Sequence, residues 1–455
     1  MVNTSLKLSL AGVLAAYVYY LAGPLAYRTL MLWGFLSSPG PENDSLFVAA
    51  TVTAIADTAY CEDIHYHAPS GTLFTACEDN DETRHKWFPP LTNFDDPELA
   101  RRSRGSIHVI NPKTLQSRRL KFENFDGPFI THGIDVISDT DQPDGTVAVY
   151  VFAVNHVPVP DYRKAGQTPH ARSQIEIFHH VLGSSTIRHV RSVWHPLIRA
   201  PNDIFASSAT SFFVTNDHRY VDHGLMRAIE DLYARAKWTD VVHVQLDSLA
   251  APGDDATAGV HATVAVSDMH NSNGLGHGRS PREILITSCS SGVLHIGQVS
   301  LDAVSGHDSN VTIVESIEVD AISDNPSYFS DPFSSGLADD RSGFVTAGVA
   351  RPMEMTLNQR KRTAKDPVKV VYVKPSLTAA SGTGSRTRGE QRVLFADSGS
   401  RIRTASAAVL VAIDPATHGS ARAGDSDGGA QGPRKAMLFV TGFQSKNIIA
   451  VEVDL

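Results

Sequence analysis

Beyond residue 45 the chain alternates short apolar runs with clusters of Gly, Pro, Asn and Asp. The runs are rich in Val, Ile, Phe and Thr, the pattern of half-buried strands bounded by turns. They predict strands over residues 46–54, 72–76, 106–110, 147–154, 174–179, 211–215, 240–245, 283–287, 293–298, 368–373, 437–441 and 448–453. Helical periodicity is scarce. It is clear over residues 223–237 (HGLMRAIEDLYARAK), where Leu225, Ile229, Leu232 and Tyr233 share one face. Many short strands without intervening helices indicate an all-β sandwich, barrel or propeller. The roughly 410 residues available are many for one sandwich and suit six four-stranded blades with insertions. Residues 378–391 and 418–434, rich in Gly, Ser and Arg, are such insertions and are expected to be surface loops. A strong β pattern returns over residues 436–455, and a last strand pairing with the first blade would remove the open sheet edges.

The first forty residues differ. Between Leu8 and Phe35 the only charge is Arg28, and residues 8–21 are almost wholly apolar, preceded by Lys7. The length suits a membrane span, so residues 1–40 are expected to be an uncleaved signal anchor and linker, and residues 41–455 the folded domain. A cleavable signal peptide is the alternative, with small residues at Ala22, Gly23 and Ala26. Either way the chain is expected in the secretory pathway, membrane-anchored or secreted, with sequons at Asn43 and Asn310.

The net charge of -9 comes without any Lys/Arg-rich stripe, which argues against a nucleic-acid partner and favours hard cations. The three cysteines, Cys61, Cys77 and Cys289, are too few for a disulfide scaffold or a zinc cluster. Cys61 and Cys77 either bridge neighbouring strands or stay as two thiols. There is no GxSxG elbow, phosphate loop or dinucleotide fingerprint. His65 and His67 share one face of a strand but lack a third partner at metal-ligand spacing, and His179, His180, His270 and His277 are expected to be surface or loop residues.

Five segments combine an acid, amide or histidine with a turn and an apolar run: YCEDIHYH (60–67), FITHGIDV (129–136), RAPNDIFAS (199–207), HNSNGLGHG (270–278) and AISDNPSYF (321–329). Asp and Asn before a strand ordinarily form turns. As a set, however, they offer the oxygen ligands that Ca²⁺ prefers.

The order and wording of these segments resemble the serum paraoxonase/arylesterase family. The likeness is sharpest at PNDIFA followed by FFVTNDHRY (201–220), flanked by THGIDV, VFAVNH, SNG and SDNPS. It extends over about residues 46–455, with insertions. The resemblance implies a six-bladed β-propeller with two calcium ions in its central tunnel. It implies that Glu62, Asn202, Asn273, Asp324 and Asn325 hold the catalytic ion. Asp63, Asp203 and the carbonyl of Ile134 hold a deeper, structural one. His132 becomes the general base for water, His156 its orienting or relaying partner, and Asp217 a further group near the reacting water, with His218 structural. The activity implied is hydrolysis of small lactones and aryl esters.

The chain departs from the family at its end, VEVDL, which has no cysteine to tie to the N-terminal segment, and in the loop 158–172. Substrate preference therefore does not carry over. Two rivals remain: a gluconolactonase-like or strictosidine-synthase-like propeller enzyme, and a non-catalytic propeller that binds partners through its faces.

Overall fold

The computed structural model describes residues 20, 23–36, 51–142, 145–164, 169–251, 253, 255–301, 308–374, 386–418 and 434–455. The apolar stretch 8–21 (Tyr20 excepted), Asn43, and most of the insertions 378–391 and 418–434 lie outside these residues. Among the described residues no helix is long and apolar enough to cross a membrane.

The fold is all-β and propeller-like, its antiparallel sheets following one another along the chain. The first run comprises Cys61–His67, Thr72–Cys77, Ser106–Ile110 and Ser117–Glu123. Its outer strand pairs in parallel with Thr186–Val193, the outer strand of Thr131–Asp139, Ala148–Asn155 and Gln174–Val181, so the two runs form one eight-stranded sheet. A four-stranded sheet follows: Pro201–Ser208, Ser211–Asn216, Thr239–Leu246 and Val260–Met269. Next come Ser272–His277, Glu283–Ser288, Val293–Leu301 and Asp308–Glu318, with Arg386–Thr387 at the edge. Pro326–Phe329, Gly343–Val349, Val368–Lys374 and Glu390–Asp397 form another sheet. The last combines Ala405–Ala412, Lys435–Gly442 and Ile448–Asp454 with Val52–Ile55.

The N-terminal strand thus completes the C-terminal sheet, Val52 opposite Val451 and Ile55 opposite Ile448. This reverses the expected roles, since the last strand receives the first rather than extending the first blade. The leading strands of the successive runs pack side by side, and Ala405–Ala412 returns to Cys61–His67, closing a ring. The hydrophobic core is divided among the gaps between sheets. Phe74, Ile107 and Phe129 share one cluster, Phe152, Ile204 and Phe212 the next, and Val370, Leu438 and Ile449 another.

The strands predicted within the described residues are found, mostly somewhat longer, as at Gln174–Val181 and Lys435–Gly442; of the expected 46–54, residues 46–50 lie outside the described residues and the strand is Val52–Ile55. The helix expected over 223–237 is shorter, Leu225–Leu232, because Tyr233 is already extended at φ -98°, ψ 93°.

The leading strands were not legible as strands, because their polar residues point inward. Register shifts interrupt five of them, four at the motifs, between Cys61 and Asp63, Thr131 and Ile134, Pro201 and Ile204, and Ser272 and Leu275, and one outside them, between Ala405 and Ala408. Such bulges re-aim side chains, here into the ring. A threonine on the second strand often braces the distorted backbone: Thr75 Oγ1 donates to the Asp63 carbonyl (2.6 Å), Thr215 Oγ1 to that of Asn273 (2.6 Å) and Thr441 Oγ1 to that of Glu62 (2.7 Å). These threonines belong to a repeated segment, LFTAC, FVTND, LITSC, FVTAG and FVTGF at residues 73, 213, 285, 344 and 439, an internal repeat that the sequence reading missed.

Cys61 and Cys77 face each other in register and form a disulfide, and Cys289 is free. The bridge spans 16 residues within one sheet, so it does not close the ring. Replacing both cysteines by alanine is expected to lower the unfolding free energy by about 3 kcal/mol, the loop-entropy value, measured by urea denaturation. At Gly133 an added Cβ would stand 2.4 Å from Asp203 Oδ1 and 2.5 Å from the Asn202 carbonyl. Gly133→Ala is expected to cost about 1–3 kcal/mol by overpacking. Gly127→Ala, where the nearest atom is 3.6 Å away, should cost far less in the same assay.

Candidate functional site

The bulged strands bring Glu62, Asn202 and Asn273 into the ring, and Asp324 and Asn325 join them just before Pro326–Phe329. Backbone bonds fix the last two, Asp324 N–H to the Ala347 carbonyl and Asn325 N–H to that of Ser406, both 2.9 Å. All are buried except Asp324, which is half-buried. Asn325 Nδ2 donates to both Glu62 oxygens (3.0 and 3.2 Å), and Asn202 Nδ2 donates to Asp217 Oδ2 (3.3 Å). The amide and carboxylate oxygens Oδ1 of Asn202, Asn273, Asp324 and Asn325 are buried and have no hydrogen-bond partner. Four such orphans are costly for an interior unless something positive meets them. Electrostatics agree. Burial, then Asp324, Asp63 and Asp203, push the Glu62 carboxyl well up against the opposing Arg84. Burial and Asp63 do the same to Asp324 and Asp203. A buried group of acids that destabilise one another, lined with spare oxygens, fits a hard cation.

Asp63 and Asp203 lie in the same ring but join strands. Asp63 Oδ2 accepts the Ile134 N–H (3.0 Å) and Asp203 Oδ2 the Leu275 N–H (2.7 Å). Asp135, which the sequence did not single out, accepts the Ala206 N–H (2.6 Å) in the same manner. His65 Nδ1 and His277 Nε2 flank Asp135 at 3.1 and 2.8 Å.

His132 and His156 come together. His156 Nε2 lies 3.2 Å from His132 Nδ1, and His156 Nδ1 lies 2.8 Å from Ser173 Oγ. His132 Nε2 faces Glu62 Oε1 at 4.0 Å. The Phe88 ring stands edge-on to both, with centroids 5.0 and 6.1 Å away. Burial, then His156 and Arg84, hold the His132 ring well below the ordinary imidazole range, partly offset by the Pro201 carbonyl. Burial lowers His156 to about 3, with Asp217 opposing and Arg84 assisting. Burial thus favours the neutral form of both rings.

Asp217 sits beside Asn202 and is buried with its neighbour. His218 Nδ1 is 3.0 Å from Asp217 Oδ1 and its Nε2 2.8 Å from Asp231 Oδ1 on Leu225–Leu232. Burial and Arg227 oppose the charged His218 ring, but Asp217 and Asp231 outweigh them and push it up to about 9. Burial raises Asp217, and the cationic His218 more than offsets this, so Asp217 stays ionised.

A cavity of about 200 Å³ opens on these groups, and His132, Asn202, Asp217, Asn273 and Asp324 are among its polar lining. Its apolar wall includes Trp33, Phe88, Leu91, Ile322, Met355 and Phe443, none of which the sequence reading had marked.

Two of the discounted histidines correct the surface expectation. His180 and His270 are buried, His180 Nδ1 being 2.8 Å from the Thr186 carbonyl and His270 Nε2 2.7 Å from that of Glu230. Cys77, Asp79 and His108 have the spacing of a metal cluster, but the Cys77 sulfur is committed to Cys61, so the trio lacks a thiolate.

Comparison with known proteins places these features. The arylesterase family profile matches residues 100–332. Serum paraoxonase/arylesterase 2 of Gallus gallus is 26% identical over 218 residues, 48% of this chain and 51% of that protein. Its namesake in Canis lupus familiaris is 29% identical over 153 residues, 33% and 38% of the two chains. Serum paraoxonase/lactonase 3 of Oryctolagus cuniculus is 27% identical over 161 residues, 34% and 38%. The chain thus spans about half the length, or less, of these curated relatives. Among solved structures, a luciferin-regenerating enzyme aligns over 89% of this chain and 95% of its own, at 11% identity and TM-score 0.41. The profile match takes in the strands that carry His132, Asn202 and Asn273 and covers just over half of the sequence: the chain belongs to the arylesterase family.

Proposed function

We propose that the protein is a calcium-dependent hydrolase of lactones and aryl esters, built from six four-stranded blades around a central tunnel. The observation that carries this reading is the set of four unpartnered buried oxygens, on Asn202, Asn273, Asp324 and Asn325, around the Glu62 carboxylate. Six blades follow if the eight-stranded sheet is divided at its one parallel pairing, Ser117–Glu123 with Thr186–Val193.

Glu62, Asn202, Asn273, Asp324 and Asn325 would hold the catalytic ion. Asp63, Asp203 and the carbonyl of Ile134 would hold a structural one, since each carboxylate oxygen keeps a second lone pair after accepting an amide N–H. Calcium bound at the first set would supply a Lewis acid that draws electron density from a substrate carbonyl. His132 accepts the proton of the attacking water at Nε2, while its Nδ1 faces His156. His156, held by Ser173, orients that ring and relays its proton. Asp217, kept ionised by His218, orients the water from the Asn202 side. The apolar wall excludes bulk water and receives the acyl or aryl group.

The N-terminal segment is proposed to anchor the protein in the secretory pathway or to be removed on secretion. The disulfide is in keeping with that compartment, and Asn310 is exposed for glycosylation.

Turnover of phenyl acetate and a simple lactone is expected to vanish in excess EGTA and return with Ca²⁺, with a parallel fall in melting temperature. Turnover indifferent to EGTA would sink the calcium reading. Glu62→Gln should reduce kcat/KM by about 100-fold or more and weaken calcium binding measured by calorimetry.

A second expectation concerns pH. The folded His218 titrates at about 9, above the ordinary imidazole value of 6.5. Its contribution to stability is fully present below pH 6.5 and is lost as pH rises through 9. Urea unfolding should therefore show stability declining over that window. In His218→Asn that component of the decline should disappear.

A further inference from the structure

Residues 23–32 form a helix seated on the sheet that contains Ser272–His277, and Trp33 follows it into the cavity. The seat is specific. Arg28 Nη2 donates to the carbonyls of Gly292 (2.8 Å) and Val319 (3.0 Å), and its Nη1 lies 3.6 Å from Asp320 and 3.7 Å from Glu318. Leu32 packs so closely over Gly292 that a Cβ there would come within 3.2 Å of its Cδ1. The Trp33 indole N–H donates to the Ser290 carbonyl at 3.3 Å, and the ring is buried with Ile322 against Cys289 and Met353. Ile322 and Cys289 also line the cavity, together with Asp324 and Asp217.

We propose that Trp33, delivered by the N-terminal helix, is a specificity-determining wall of the substrate cavity, so that this segment is part of the hydrolase and not only its attachment. The inference rests on the hydrolase reading above. A carbonyl held at the polar lining directs its acyl or aryl substituent toward the apolar wall, where the indole offers a broad rigid surface. A small lactone ends before reaching that wall, and a long-chain lactone meets it. Trp33 donates its only N–H to Ser290, so its effect is on binding and not on proton transfer.

The test uses the full chain and two readouts. Cys289 is the only free cysteine, half-buried beneath Trp33, so its alkylation by a small maleimide reports whether the indole is seated. Trp33→Ala, and independently Arg28→Ala, which releases the helix without touching the cavity, should each speed that reaction about tenfold. Trp33→Ala should also raise KM for a long-chain γ-lactone roughly tenfold, leave kcat within about twofold and hardly change KM for the unsubstituted ring. Trp33→Phe should recover most of the loss. An unchanged thiol rate in Trp33→Ala overturns the seating. An equal KM change for both lactones, or a loss confined to kcat, overturns the specificity role. If the wild type hydrolyses neither lactone, the hydrolase reading fails on its own, and the thiol rates still decide whether Trp33 covers the cavity.

Discussion

The fold depends on how the leading strands hold one another across the ring. Each belongs to a different run of strands, and the one backbone bridge between leading segments among the described residues joins Asn325 to Ala407. Aspartates substitute instead. Asp63 accepts an amide N–H of Ile134, Asp135 one of Ala206 and Asp203 one of Leu275, each reaching to the next leading strand. On the opposite arc the Asn325 N–H bonds the Ser406 carbonyl, and Ser406 Oγ in turn donates to the Glu62 carbonyl. Charge-assisted bonds of this kind are roughly twice as strong as neutral ones. They also require buried acids, and the acids then have to be neutralised.

That requirement links architecture to chemistry. Glu62, Asp203 and Asp324 are destabilised by burial and by neighbouring carboxylates. His65, whose Nε2 lies 3.2 Å from Asp63 Oδ2, answers Asp63 and Asp203; the protein's own response to Glu62 is Arg84, whose buried guanidinium bonds the Tyr60 and Thr131 carbonyls (3.1 and 3.2 Å) and covers the Phe88 ring at 4.1 Å. One guanidinium cannot balance that many acids, and it stands on the histidine side of the group. A hard cation on the axis would relieve the repulsion and meet the orphaned amide oxygens together. The same ion that serves catalysis would then hold the ring closed, which is why activity and stability are expected to fail jointly when it is removed.

Much of the fold was legible in the sequence, and the unread parts share a cause. Outer and middle strands such as Ser106–Ile110 and Lys435–Gly442 bury β-branched residues and were found almost at their true limits. The leading strands bury polar residues on the ring side, so Asn202-Asp203 and Asn273 looked like turn formers although they sit inside strands, at bulges. Their grouping was legible through the family resemblance and not through periodicity. Phe88, Arg84 and Trp33 carry no local signal, because their significance comes from insertions folding over the ring. The threonine repeat was a signal on the page, with Val154 in its place in the one run whose second strand ends at Asn155, just before His156.

That exception joins the repeat to the reaction. In four of the five repeated segments the residue two positions after the threonine lines the cavity: Asp217, Cys289, Gly348 and Phe443. Cys77 occupies the same position and is committed to its disulfide, and His156 occupies it in the run that lacks the threonine. One backbone position, repeated around the ring, is therefore filled by a carboxylate, an imidazole, a thiol, an aromatic ring or nothing larger than hydrogen. The strands set the geometry and are interchangeable, whereas the terminal residue of each second strand gives its sector a chemical character. Variation at Cys289 would alter the lining of the cavity, whereas at Gly348 an added Cβ would stand 1.7 Å from the Ile322 carbonyl oxygen, so the close approach of that backbone to the segment before Asp324 keeps the position a glycine.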